Sequence, residues 1–311
     1  MTRVSRRPEI ALVAVTVVWG STFIITKGVL REAPPMLYLA LRFCIAAAVL
    51  FALFPRATRA PRALLVSGAL LGGLQALGVA VQVFAQAYTT ASKAAFVTAL
   101  STALTPLLSL ALYRDRPRAQ QLAGVALASV GLAALTWPGG SADWNRGDLM
   151  SLGCAFVYAW VIVETARRSR GQDVAVLATL QSGAAAVLLA LLLLASHAAL
   201  ALLPADQVPD LLRLEARDFT PTVSLGARVL YMAVVCTVFT FLAQTWAMSR
   251  ISATQSAVVF ALEPLFATTL AVAVEGASEW PGPRGAVGAA LIVAGLIVAE
   301  VQLPGRTPEP A

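Results

Sequence analysis

In a chain of 311 residues, 59% are hydrophobic and only 13% charged, too few polar groups to cover a water-soluble globule, for which roughly a quarter charged is usual. The formal net charge of +7 does not point to nucleic acid, because the arginines sit in short triplets between hydrophobic runs and not among aromatics on one solvated face. One histidine, His197, and three cysteines inside apolar runs, Cys44, Cys154 and Cys236, supply neither a zinc set nor a catalytic pair, so no catalytic residue, metal or cofactor is expected.

Runs of about 20 apolar residues, the length that crosses a hydrocarbon core of about 30 Å, can be placed ten times. They cover residues 9–30, 35–54, 63–87, 91–112, 120–137, 147–166, 174–196, 226–248, 252–274 and 285–301. The expectation is an all-α membrane protein of ten transmembrane helices, with the lipid bilayer as its surroundings. Span 1 carries Trp19 at mid-depth, too deep for an interfacial anchor and suited to packing or to an aromatic wall for a substrate. Lys27, nearer its end, can snorkel. Arg42 lies two turns inside span 2, where a cation either pairs within the bundle or meets a carboxylate. Span 3 holds Gln75, Gln82 and Gln86 and leads through a very short turn at Thr89 and Thr90 into span 4, which opens with Lys93 and contains Pro106. Span 5 puts Gly124 and Gly131 on one face, as span 10 does with Gly288 and Gly295, and such small-residue faces suit a scaffold or a homodimer contact.

In span 6, Tyr158 and Trp160 read as packing or cavity wall, and Glu164 reaches towards Arg167 and Arg168 at the interface, a structural use. Span 7 holds Gln181. The connection over residues 197–225 has room for one or two amphipathic turns but not for a domain. Span 8 contains Gln244. Near the centre of span 9 lies Glu263-Pro264, the pair that carries most weight: an ionised carboxylate at that depth costs about 2.5–3.5 kcal/mol on insertion scales. Pro264 frees a carbonyl one turn earlier and so makes a kink. Glu263 then either caps the freed backbone or contacts substrate and protons in a water-filled cavity.

With the amino terminus in the cytoplasm, fourteen arginines (3, 6, 7, 56, 59, 62, 114, 116, 118, 167, 168, 170, 250 and 306) fall inside and six (31, 146, 213, 217, 228 and 284) outside. The positive-inside rule therefore places both termini in the cytoplasm, with Trp137, Trp144 and Trp280 as outer interfacial anchors.

The halves also repeat one another. Gln82-Val-Phe-Ala-Gln-Ala-Tyr-Thr-Thr90-Ala91 answers to Gln244-Thr-Trp-Ala-Met-Ser-Arg-Ile-Ser252-Ala253, and the prolines and glycine pairs follow in the same order. Residues 1–140 and 141–311 are thus expected to be two five-helix units. An odd number of spans per copy makes the second enter from the opposite side, giving two inverted repeats that can rock about a midplane site. On this alignment Thr105, beside Pro106, is the counterpart of Glu263.

Seven stretches stand together in order: Val18-Trp-Gly-Ser-Thr-Phe23, Arg42-Phe43, Thr90-Ala-Ser-Lys-Ala-Ala-Phe-Val-Thr98 with Pro106, Arg146-Gly-Asp-Leu149, Gln244-Thr-Trp246, Ser252-Ala253 and Ala261-Leu-Glu-Pro264. Through them the chain resembles the EamA-type transporters of the drug/metabolite transporter superfamily over nearly its whole length. That resemblance implies export of small metabolites, often amino acids and related compounds, across a bacterial inner membrane.

The residues expected to line a substrate or proton pathway are Glu263, Pro264, Arg42, Gln82, Gln244, Trp19 and Lys93, with a small molecule and protons as the partners. A carrier of lipophilic cations would use the same Trp19 and Glu263. An intramembrane enzyme would need a nucleophile with its base or a clustered acid set, and the chain has only scattered single acids.

Overall fold

The structure is a computed structural model describing residues 7–89, 91–136, 145–204, 206–276 and 282–300, and every regular element in them is helical. The fourteen α-helices are α1 (Arg7–Val29), α2 (Pro35–Leu53), α3 (Arg62–Tyr88), α4 (Ala91–Ala99), α5 (Ser101–Tyr113), α6 (Ala119–Thr136), α7 (Arg146–Arg168), α8 (Val174–Leu202), α9 (Asp210–Arg213), α10 (Val223–Ala233), α11 (Thr240–Met248), α12 (Ala253–Phe260), α13 (Glu263–Glu275) and α14 (Gly282–Glu300). A six-residue π-helix, Val234–Phe239, joins α10 to α11.

Each expected span falls on a helix or on two helices end to end. Seven of these units are long and apolar enough to cross a membrane: α1, α2, α3, α7, α8, the α10–α11 unit and the α12–α13 unit; Val97–Tyr113 is a shorter apolar stretch. The three outer-end tryptophans, Trp137, Trp144 and Trp280, lie outside the described residues.

Local chemistry sets the helix starts. Pro35 occupies the first turn of α2, where its missing amide is no loss. Capping boxes open α7, from Asn145 and Asp148, and α12, from Ser252 and Gln255. Asp173 caps α8.

The exterior is apolar and the interior holds the polar groups. Leu107, Leu149, Val187 and Leu194 are exposed, whereas Gln181, Thr237 and Gln244 are buried. This inversion is what a hydrocarbon solvent selects, since an outward-facing polar group there has no water to bond. Cys44 lies on the exposed face of α2, not buried as its apolar surroundings suggest, while Cys154 and Cys236 are buried.

The main core lies where α2, α3, α8 and the α10–α11 unit meet, around Tyr38, Phe43, Val79, Leu189 and Phe241. A second core joins α1, α7, α11 and α12 around Leu12, Val163, Met248 and Phe260. The small faces of α6 and α14 turn towards each other, the scaffold of the two expected uses. A Cβ on Gly131 would sit 2.6 Å from the Gly288 carbonyl oxygen, and one on Gly295 would sit 2.6 Å from that of Gly124.

Two spans break in mid-membrane. The fourth breaks at Leu100, between α4 and α5, and the ninth at Ala261 and Leu262, between α12 and α13. Leu100 and Leu262 precede the second helix in similar backbone, φ −59° and ψ −16° against φ −75° and ψ −17°. They lie 162 residues apart (262 − 100), the same offset as Gln82 to Gln244 (244 − 82). At that offset the position level with Glu263 is Ser101, whereas the proline-based expectation pairs it with Thr105. Pro264 sits in the first turn of α13 and Pro106 in the second turn of α5, so the two prolines are displaced from one another within otherwise matching breaks.

Candidate functional site

The breaks and the π-helix surround a central cavity lined by side chains from both halves of the chain. Trp19, Arg42, Gln82, Gln244 and Glu263, five of the seven residues expected from sequence, line it together. Pro264 is buried next to Glu263 in the first turn of α13 but does not line the space. Lys93 lies in α4, and its side chain is outside what the structure describes.

Glu263 is placed by the break in span 9. A continuous helix would spend the backbone amides of this turn on itself; the break sets Glu263 at the N-terminal end of α13, where the helix dipole favours a carboxylate. Among the described residues no side chain forms a hydrogen bond or ion pair with it. Ser101, at the matching break, lines the same cavity.

Arg42 is 8% exposed and enters from α2. Its Nε donates to Thr237 Oγ1 at 2.9 Å and one Nη2 hydrogen to the Cys236 carbonyl at 3.2 Å, both in the π-helix. Nη1 approaches the Tyr38 hydroxyl at 3.5 Å, and the guanidinium carbon lies 5.4 Å from the Phe43 ring centroid. Tyr38 in turn shares a hydrogen bond of 3.2 Å with Thr26. All these partners are neutral.

Both glutamines line the cavity. Gln82 accepts from the Tyr158 hydroxyl at 3.0 Å, tying α3 to α7 across the cavity wall. Trp19 packs obliquely on Phe260, with ring centroids 5.3 Å apart, and forms the aromatic side. The buried hydroxyls of Thr98 and Thr165 also line the cavity, and that of Thr165 has no hydrogen-bond partner among the described residues.

Two charged residues of the spans serve elsewhere. Lys27 Nζ donates to the Gln86 carbonyl at 2.6 Å, linking α1 to α3. Glu164 is buried and held by Tyr113, by Arg168 at 2.6 Å and by Trp160 at 3.4 Å, so it ties α5 and α7 together, the structural use expected of it. Among the described residues no three His, Cys, Asp or Glu side chains come together as metal ligands would.

Sequence reasoning missed Tyr38 and Thr237. The signal available was a pair of hydroxyls three apart, Thr237 and Thr240, in an otherwise apolar run with neither proline nor glycine to mark a distortion.

The pattern that defines the EamA-like transporter family matches residues 6–137 and 145–300. A protein of Archaeoglobus fulgidus named as an uncharacterized transporter is 28% identical over 295 residues, covering 95% of this chain and 86% of that protein. One solved crystal structure has the same fold, with a TM-score of 0.70 over 94% of this chain and 96% of that one, at 22% identity.

Proposed function

Because the chain belongs to the EamA-like transporter family, we propose that it is a secondary carrier moving small polar metabolites through the central cavity by alternating access, with Glu263 exchanging protons. It is an integral membrane transporter. The observation that carries the finer reading is the convergence of Trp19, Arg42 and Gln82 from the first half with Gln244 and Glu263 from the second on one enclosed space. A site built at the junction of two halves is the kind that a rocking motion opens alternately to either side. The matched helix breaks and the two stretches of family similarity support two five-helix units of opposite orientation. The arginine distribution supports cytoplasmic termini, and membership of the family supports export across an inner membrane as the reading.

Coupling is assigned to Glu263 because a lone carboxyl in a polar cavity can take a proton from one side and release it to the other. Inside-out vesicles energised by a proton gradient test this. Glu263→Gln is expected to abolish gradient-driven accumulation while leaving substrate exchange in place. Unchanged accumulation with unchanged pH dependence would remove Glu263 from the coupling step.

The oblique Trp19–Phe260 pair beside Glu263 also suits a lipophilic cation. Competition of amino acids against quaternary amines in reconstituted vesicles separates the two readings by which class inhibits uptake.

A further inference from the structure

The partners of Arg42 use only part of its guanidinium. Arginine carries five N–H donors in a planar fork with two edges able to grip an oxyanion: the side edge, Nε with Nη2, and the end edge, Nη1 with Nη2. Thr237 Oγ1 takes the Nε hydrogen at 2.9 Å and the Cys236 carbonyl takes one from Nη2 at 3.2 Å, so the π-helix fills the side edge. Nη1 has only the Tyr38 hydroxyl at 3.5 Å. One hydrogen on each of Nη1 and Nη2 is left without a partner among the described residues, on a side chain that lines the cavity.

Charge points the same way. No carboxylate among the described residues lies within ion-pair distance of this buried cation; the acid that shares its cavity, Glu263, is not bonded to it. A buried guanidinium satisfied by neutral acceptors alone is stabilised when a mobile anion arrives. The hydroxyl of Thr165 on the same cavity is a further polar group without a partner among the described residues.

The distortion that fills the side edge is itself specific. Within the π-helix the Cys236 carbonyl receives two side chains: besides Arg42, it accepts from Thr240 Oγ1 at 2.9 Å. Thr237 is fixed from behind by its own donation to the Met232 carbonyl at 2.9 Å, which aims its oxygen lone pairs at Arg42. π-segments of this kind often mark functional places in helices.

We propose that the end edge of Arg42 is a subsite for a carboxylate on the transported molecule, and that Thr237 is the positioning residue that orients it. This rests on the cavity being the transport site, and it adds a requirement on the substrate: an oxyanion of planar, two-oxygen geometry. Thr237 touches no substrate. It sets the rotation of the guanidinium plane.

The test uses the full-length protein in detergent and a panel of carboxylates, each paired with its primary amide: leucine with leucinamide, benzoate with benzamide, succinate with succinamide. Ligand-dependent melting gives the affinity for each member, and the ratio within a pair is the readout, since a merely structural defect lowers both members together. Wild type is expected to prefer at least one carboxylate over its amide by about tenfold or more, a gap of about 1.4 kcal/mol. Thr237→Ser keeps that ratio. Thr237→Val and Arg42→Gln bring it close to parity while the affinity for the amide stays the same. Parity in wild type, failure of wild type to bind any carboxylate, or a preference that survives Thr237→Val would overturn the subsite. Proteoliposome uptake is scored separately: transport without carboxylate preference defeats this inference and leaves the carrier standing, whereas preference without transport defeats the carrier.

Discussion

Asp173 caps and tethers α8 from a single carboxylate. It accepts from the amides of Ala175 and Val176 at 3.1 and 3.2 Å and takes the Arg56 guanidinium at 2.9 and 3.2 Å. The hydrogen bond from Arg56, with the two amides, holds this carboxyl below the usual aspartate range. A depressed value in the folded state means that the stabilisation is complete at neutral pH and is lost as pH falls through and below that range. Both partners are substantially exposed, 60% and 42%, so water screens the ion pair and the cap is the larger part. Asp173→Ala is expected to lose about 1 kcal/mol at neutral pH, and Asp173→Asn less, because an asparagine still caps. Thermal melts in detergent check this: the gap to wild type should be full at neutral pH and shrink as pH falls below the usual aspartate range. Such a surface acid says little in the sequence, whereas Arg42 and Glu263 stand out because a charge in an apolar run needs a reason. Trp19, Gln82 and Gln244 were legible on the same ground. Tyr38 and Thr237 were not, since hydroxyls are cheap in membrane helices, where they bond to their own backbone as Thr105 does to the Ser101 carbonyl at 2.8 Å.

At the scale of elements, the contact between α6 and α14 rests on small residues facing one another. With carbonyl oxygens 2.6 Å from where a Cβ would stand, Gly131→Ala must push the two helices apart, at a cost of about 1–3 kcal/mol. Gly153→Ala in α7 is the control, because a Cβ there meets nothing within 4 Å and the helix gains from alanine. Melting of the two variants side by side is expected to move in opposite directions. The glycine spacing of seven announced this contact, because seven residues bring a helix back to nearly the same face. The helix breaks were announced only in part. Pro264 marks its break within two residues, but the break at Leu100 lies six residues before Pro106, where neither proline nor glycine stands. Tertiary packing sets it, and a single sequence does not display packing.

For the molecule as a whole, polar clusters tie the helices together on both sides of the cavity. On the side proposed as outer, Arg228 of α10 reaches Glu32, after α1, at 2.7 Å, and buried Glu215 accepts from the Met36 amide at 2.9 Å. Burial away from water pushes the Glu215 carboxyl up, against the lowering effect of the Met36 amide it accepts from. On the side proposed as inner, Tyr113, Trp160 and Arg168 converge on Glu164. A rocking carrier must break one cluster while keeping the other. Glu164→Gln combined with Tyr113→Phe is therefore expected to open the inner side. Labelling of a cysteine at cavity-lining Thr165 by a membrane-impermeant maleimide from the cytoplasmic face should become faster, while Glu32→Gln leaves it unchanged. Equal labelling in both variants would show that the Glu164 cluster does not close the path. The pairing of Arg42 with Glu263 in one space has an electrical consequence. Arginine keeps its charge, so of the described residues lining the cavity Arg42 and Glu263 sum to zero when Glu263 is ionised and to +1 when it is protonated. A carboxylate seated on Arg42 cancels that charge. If rocking shifts the cavity through the transmembrane field, worth about 2.3 kcal/mol per charge per 100 mV, the proton-loaded empty form feels the membrane voltage and the substrate-loaded protonated form does not.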